Sequence, residues 1–226
     1  GNPCGLMDQT ACAVGSAVTI DFKDPKAPVV DKVTFDIAKH GYCLCITDTK
    51  GSHADLTDDY TAIPTEMRQV AAQFGQTELR GVSEEAFYAA IPQLRRSCSD
   101  RAILRAMHFF AENRRAGAQA QALESGDMAQ FLTLVQESGA SSAELLQNLY
   151  SASKPTAQEI PLAIAVSKRL LAGAGAVRVH GGGFAGTIQA FVPLAQVAMY
   201  TKAMEQLFGE GSCYVLRIRP VGGVEM

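Results

Sequence analysis

Two stretches of this chain bring together residue types that could do chemistry. The first is His-Gly-Gly-Gly-Phe-Ala-Gly at 180–186. Backbone stripped of side chains can turn successive N–H groups toward an anion and form a nest. Its ordinary role is a glycine-rich hairpin turn, and the pattern alone leaves both readings open. The second is Pro-Cys-Gly-Leu-Met-Asp-Gln at 3–9, which sets a carboxylate, Asp8, just past a turn. An acid there is usually a helix cap or first-turn residue. Its chemical reading is a carboxylate that accepts a proton from a substrate hydroxyl.

Other constellations carry less. Gly181, Gly183 and Gly186 match the G-x-G-x-x-G dinucleotide fingerprint. That fingerprint needs a helix next, with its N-terminus on the pyrophosphate. Here Thr187-Ile-Gln-Ala-Phe-Val alternates like a strand, so the match is rejected. The His-Gly-Gly-Gly run is similar to an esterase oxyanion loop, but the chain has no G-x-S-x-G elbow. His108 and Glu112 are four apart on one helix face, with Arg105 a turn earlier. No third ligand accompanies them, which favours a surface or buried polar pair over a metal site. His53, Asp55, Asp58 and Asp59 read as capping and solvation before a helix, and Tyr60 stands apart from them.

The elements that must hold these residues follow from periodicity. Residues 9–16 suit a short helix ending near Gly15, and 17–25 and 29–37 read as strands. Residues 41–49 are nearly all apolar, as in a central strand. Helical patterns then run through 61–75, 83–94, 99–126, 127–139, 141–153 and 156–173, with Ser83 and Asp127 as N-caps. After them come a strand (175–180), the glycine turn, a strand (186–193), a helix (194–211) and a strand (213–221). From residue 41 onward, with the extra helices taken as an insertion, this is a ferredoxin-like split β-α-β unit within an α+β class. It predicts an antiparallel four-stranded sheet with helices on one face. Residues 1–38 fall outside it and hold too little apolar surface to make a domain of their own.

Composition narrows the field further. Hydrophobic residues make up 47% of the 226 and charged residues 19%, which is globular and not disordered. The net charge of −3 provides no basic stripe for nucleic acid and no basic face for a membrane. None of the six cysteines forms C-x-x-C or a zinc-type spacing, so no metal site is expected and buried free thiols are. Cys43 and Cys45 share one strand face and are poorly placed to pair. The chain shows no signal-peptide pattern, no glycosylation acceptor and no unbroken apolar run of about 18 residues, and a cytoplasmic location is expected.

Taken together, Pro-Cys-Gly-Leu-Met-Asp-Gln at 3–9 and Gly-Gly-Gly-Phe-Ala-Gly at 181–186 resemble the galactokinases of the GHMP small-molecule kinase family. Arg, His and Glu in the helix around His108 are similar as well, and the likeness runs over residues 2–223. Ala185 stands where the family usually has glycine. The likeness covers only the C-terminal part of a galactokinase. The N-terminal sugar-binding segment, its arginine partner for the catalytic acid, and the serine-rich phosphate loop have no counterpart.

The resemblance implies a ferredoxin-like C-terminal domain at 39–226, preceded at 1–38 by the end of the N-terminal domain. It implies phosphorylation of the galactose C1 hydroxyl with ATP and Mg²⁺, the binding groups for both lying mostly in the absent part. Asp8 matches the catalytic aspartate, the Gly5 backbone and Tyr60 match sugar contacts, and Gly181, Gly182 and Gly183 match the loop that braces the phosphate region. Galactosamine or N-acetylgalactosamine as substrate, or a sensor without catalysis, are the alternatives. This chain alone is expected to turn nothing over and to self-associate through residues 1–38.

Overall fold

The computed structural model describes residues 7–24, 26–52 and 54–223. In chain order these form α1 (Met7–Val14), β1 (Ala17–Asp21), β2 (Val29–Val33), β3 (Tyr42–Asp48), α2 (Thr57–Ala72), α3 (Glu84–Leu94), α4 (Asp100–Ser125) and α5 (Met128–Ser141). Then follow α6 (Glu159–Leu171), β4 (Ala176–Val179), β5 (Thr187–Pro193), α7 (Val197–Phe208) and β6 (Cys213–Leu216).

The apolar run at 42–48 does become a central strand. The main sheet has the order β4-β5-β3-β6, antiparallel throughout. Counted within the unit, that is second, third, first, fourth, the ferredoxin-like order. β3 and β5 pair at seven positions, from Tyr42 opposite Pro193 to Asp48 opposite Thr187. Alternation then sends Cys43 and Cys45 to one face with Val177, Val179, Ile188, Ala190 and Val192. α6 and α7 close that face with Ile160, Ala163, Leu171, Tyr200 and Met204. The Cys43 and Cys45 sulfurs lie 3.7 Å apart as thiols, and burial pushes the Cys43 thiol up. Cys213 is buried too, whereas Cys98 is half-buried and Cys12 exposed.

Two expectations need correction. Helices cover both faces of the sheet, not one. The inserted α5 lays Phe131 edge-on against Phe191 of β5, centroids 5.0 Å apart, and Leu132, Leu134 and Val135 fill in beside it. The apolar side chains of β3 that face away from α6 and α7 are what α5 covers. The helix expected over 141–153 also does not form. α5 stops at Ser141, a wide π-type turn spans Ser142–Leu146, and Gln147 turns left-handed with φ 59°. The two expected N-caps, Ser83 and Asp127, are in place, accepting from the N–H groups of Ala86 and Gln130, and Ser99 caps α4 by accepting from Ala102 N–H.

β1 and β2 form a separate hairpin paired at five positions, with α1 against β1. The end of the chain ties this hairpin down. Ser16 N–H donates to the Arg219 carbonyl and Lys32 Nζ to the Pro220 carbonyl, both at 2.7 Å. Between the hairpin and helices α2 and α4 runs a groove of about 940 Å³, lined by Val18, Ile20, Met67, Phe109 and Leu123 among others.

A buried polar row locks α4 to α5. The His108 ring shares a 2.9 Å hydrogen bond with Ser141 Oγ, and Ser138 Oγ donates to Glu112 at 2.6 Å, with Glu112 also paired to Arg115. Burial drives His108 down to about 4, and the nearby Arg178 and Arg115 add to that. The folded state therefore holds a neutral imidazole, whereas the unfolded chain titrates near pH 6.5. Stability is complete above about pH 6.5 and declines as pH falls toward 4, by up to roughly 3 kcal/mol. Urea melts between pH 7.5 and 4.5 should show this decline, and His108→Gln should flatten it; an unchanged slope in the variant would contradict the assignment.

Candidate functional site

The glycine turn at 180–186 joins β4 to β5, so the sheet fixes both its ends: His180 N–H donates to Thr187 O at 3.0 Å. Between these ends the backbone visits the left-handed region at Gly181, Gly183, Phe184 and Gly186 (φ 68°, 80°, 60° and 93°). Glycine meets that demand without strain at three of the four positions. Phe184 meets it by burying its ring with Leu56 and Ala185, edge-on to Tyr60 at 5.4 Å.

Tyr60 is in the first turn of α2 and reaches this turn directly. Its hydroxyl donates to the Gly183 carbonyl at 2.8 Å. Its ring leaves no space for a side chain at Gly182, where a Cβ would stand 2.8 Å from Tyr60 Cε1. Burial pushes the Tyr60 hydroxyl up, and Asp59 adds to the shift. From the other side, Asn148 Nδ2 donates to the Gly182 carbonyl at 3.0 Å, and the Asn148 carbonyl accepts from Phe184 N–H at 2.6 Å. Thr49, just past β3, gives both its N–H and its hydroxyl to the Gly186 carbonyl, at 2.8 and 2.7 Å. Three separate elements thus hold one loop, and the carbonyls of Gly182, Gly183 and Gly186 are taken up inside the protein.

Behind Asn148 sits a buried charge cluster. Arg105 is 2% exposed and donates to Glu66 at 2.9 Å and to the Leu146 carbonyl at 3.2 Å. Arg101 reaches the same carboxylate at 2.5 Å. Desolvation draws the Arg105 guanidinium down and Glu66 pulls it back, whereas Glu66 raises Arg101. The two arginines, Asp59, Gln147 and Tyr150 border a cavity of about 430 Å³ that reaches Phe184.

Of the residues read from the sequence, Tyr60, Gly181, Gly182 and Gly183 are brought together. Asp8 is exposed in the first turn of α1, and among the described residues it makes no hydrogen bond or ion pair to Tyr60 or to the glycine loop. Gly5 and His53 lie outside the described residues. Arg105, His108 and Glu112 are buried or half-buried polar residues with protein partners, in line with the polar-pair reading. Asn148, Glu66 and Arg101 went unread. The i, i+4 spacing of Arg101 and Arg105 was visible as a signal, but nothing in the sequence marks Asn148.

No protein-family model matches the chain. Among solved structures it superposes on Lactococcus lactis galactokinase complexed with galactose, with TM-score 0.77 and 22% identity, covering all of this chain and 57% of that one. It also superposes on L. major mevalonate kinase in complex with R-mevalonate, with TM-score 0.58 and 10% identity over 99% of this chain and 55% of that one. The fold is thus the one that these two kinases share over this region. In sequence the chain is 30% identical to Streptomyces coelicolor galactokinase over 221 residues, 96% of this chain and 54% of the relative. Streptomyces lividans galactokinase is likewise 30% identical, over 92% of this chain and 50% of its own length. The chain is similar to these galactokinases over nearly all of its own length and spans about half the length of the curated relatives it matches.

The packing around the loop separates its glycines. A Cβ at Gly183 would enter the Asn148 carbonyl oxygen, whereas one at Gly181 would meet nothing within 4 Å. Both have positive φ, so Gly181→Ala should cost only the left-handed penalty of about 1–2 kcal/mol. Gly183→Ala adds a clash with rigid backbone and should cost at least about twice as much. Denaturant unfolding of the two variants checks this, and equal losses would refute the close approach of Asn148.

Proposed function

We propose that the chain is the C-terminal portion of an ATP-dependent galactokinase that phosphorylates the C1 hydroxyl of galactose. The observation that carries this reading is the glycine loop packed on Tyr60 in a chain that follows galactokinases over 96% of its length. In this reading residues 1–38 end the N-terminal domain and 39–226 form the C-terminal one. The groove beneath the hairpin is the face a preceding domain would cover, and through it this chain alone would self-associate. The free thiols fit a reducing cytoplasm.

The chemistry divides as follows. Asp8, near the positive end of α1, takes the proton of the C1 hydroxyl as that oxygen attacks phosphorus, or holds the oxygen electrostatically. The Gly5 backbone and Tyr60 position the sugar. Gly181, Gly182 and Gly183 brace the phosphate-binding region from the C-terminal side. When bound, ATP with Mg²⁺ supplies the phosphoryl group. The loop amides of Gly181, Gly182 and Gly183, which donate to no protein acceptor among the described residues, suit an anionic oxygen. In this reading the metal ligands and the charge that must balance the transferring phosphoryl group come mostly from the N-terminal part.

The test is ADP release by the full-length polypeptide with galactose, galactosamine and N-acetylgalactosamine. Turnover fastest with galactose supports the reading, and Asp8→Asn should lower kcat by about 10²–10⁴ with little change in KM. No ADP release with any of the three sugars overturns it. For the chain alone, micromolar galactose binding by calorimetry would refute its dependence on the N-terminal part.

A further inference from the structure

Asn148 holds two successive peptides at the centre of the glycine loop, one through its side chain and one through its backbone. It is 2% exposed, so its contacts are made away from water. Nδ2 donates to Gly182 O and the main-chain carbonyl accepts from Phe184 N–H. The side-chain oxygen, Oδ1, is buried with no hydrogen-bond partner among the described residues. An amide could flip to exchange its oxygen and nitrogen, but a flip here would aim Oδ1 at the Gly182 carbonyl, oxygen against oxygen. The side chain therefore keeps its donor on Gly182 while leaving an acceptor unmatched, a cost to stability that the site accepts.

That choice has a geometric consequence. In a planar trans peptide the C=O and the following N–H point in opposite directions. Drawing Gly182 O toward Asn148 turns the N–H of Gly183 directly away from it. Among the described residues, the N–H groups of Gly181, Gly182 and Gly183 donate to no protein acceptor. On the next peptide, Gly183 O is taken by Tyr60 and Phe184 N–H by the Asn148 carbonyl, so that unit cannot rotate either. The neighbouring Gln147, left-handed at φ 59°, ends the π-type turn and brings Asn148 against the loop.

We propose that Asn148 is a positioning residue: its side-chain amide fixes the Gly182–Gly183 peptide so that the Gly183 N–H stays turned away from Asn148 as a donor to a phosphate oxygen. The orientation stands on the geometry alone, whereas its use by phosphate rests on the kinase reading. Asn148→Asp keeps the shape and removes only the donor. Burial raises the introduced carboxyl's pKa, and once protonated it can donate to Gly182 O again. Its defect should therefore fade as pH falls, which a simple packing role would not produce. Asn148→Ala removes the donor at every pH.

The experiment uses the full-length polypeptide with ¹⁵N-glycine labelling, recorded between pH 8 and 5. At pH 8 both variants should displace the Gly183 amide resonance. On acidification Asn148→Asp should return toward the wild-type position and Asn148→Ala should not. In turnover assays at pH 8, Asn148→Asp should raise KM for ATP about tenfold, the scale of one hydrogen bond, and change kcat less. A Gly183 amide that does not move in Asn148→Asp, or moves without recovering at low pH, overturns the proposal. A displaced and recovering amide with unchanged KM upholds the positioning and overturns the phosphate role. Wild-type protein without ATP-dependent turnover overturns the kinase reading, and the resonance then decides the positioning alone.

Discussion

The close approach of the glycine loop to Tyr60 and Asn148 constrains this part of the molecule most tightly. The loop passes between a ring and a main-chain carbonyl with no room for a side chain at either contact. That requirement explains glycine at 182 and 183 more directly than conformational freedom does, since Gly182 has an ordinary φ and Phe184 tolerates a positive one. It also fixes where α2 and the turn after α5 must sit, because each contributes one wall. An error of about 1 Å in either would open the loop or collide with it.

The inserted helices therefore do more than decorate the sheet. α2 brings Tyr60, and the Arg105–Glu66–Arg101 cluster pins α2 to α4. Arg105 also bonds the Leu146 carbonyl, at the end of the turn that precedes Asn148. A buried ion pair contributes little net stability compared with apolar packing, but breaking one is costly because it strands a charge. Here it supplies direction: one carboxylate sets the spacing of two helices, and one guanidinium carries that spacing to Asn148. The polar row of His108, Ser141, Glu112 and Ser138 does the same between α4 and α5.

The parts legible in the sequence were those governed by period. Strand β3 could be read because its alternating positions bury different faces, and the sheet order followed from strand spacing and the split β-α-β pattern. The loop could be read because glycine density is itself a backbone signal. Coverage of the second sheet face was hidden, since the side of the sheet on which α5 lands depends on a Phe131–Phe191 contact 60 residues apart in sequence. The break at Gln147 was hidden for a related reason. Residues 141–153 contain nothing that forbids a helix, and the chain leaves the helix because the Asn148 carbonyl and amide are committed to the loop. Tertiary hydrogen bonds overrode a weak local preference. Glu66 and Asn148 escaped notice because a polar residue acquires meaning only from its partner.

In the proposed kinase reading, Asp8 and the loop play different parts, and the structure holds them differently. The loop is held at Gly182, Gly183, Phe184 and Gly186 by Thr49, Tyr60 and Asn148, all of them after residue 41. Asp8 stands on α1, which packs on the β1–β2 hairpin, and the hairpin reaches the rest through α4, the Arg80–Asp21 pair at 2.8 Å and the chain's last segment. An acid must lie within hydrogen-bond reach of the proton it takes, whereas a phosphate donor works from a rigid frame. In that reading the division suits those needs: the loop is framed within the ferredoxin-like unit, and Asp8 stands on a short helix against a small hairpin.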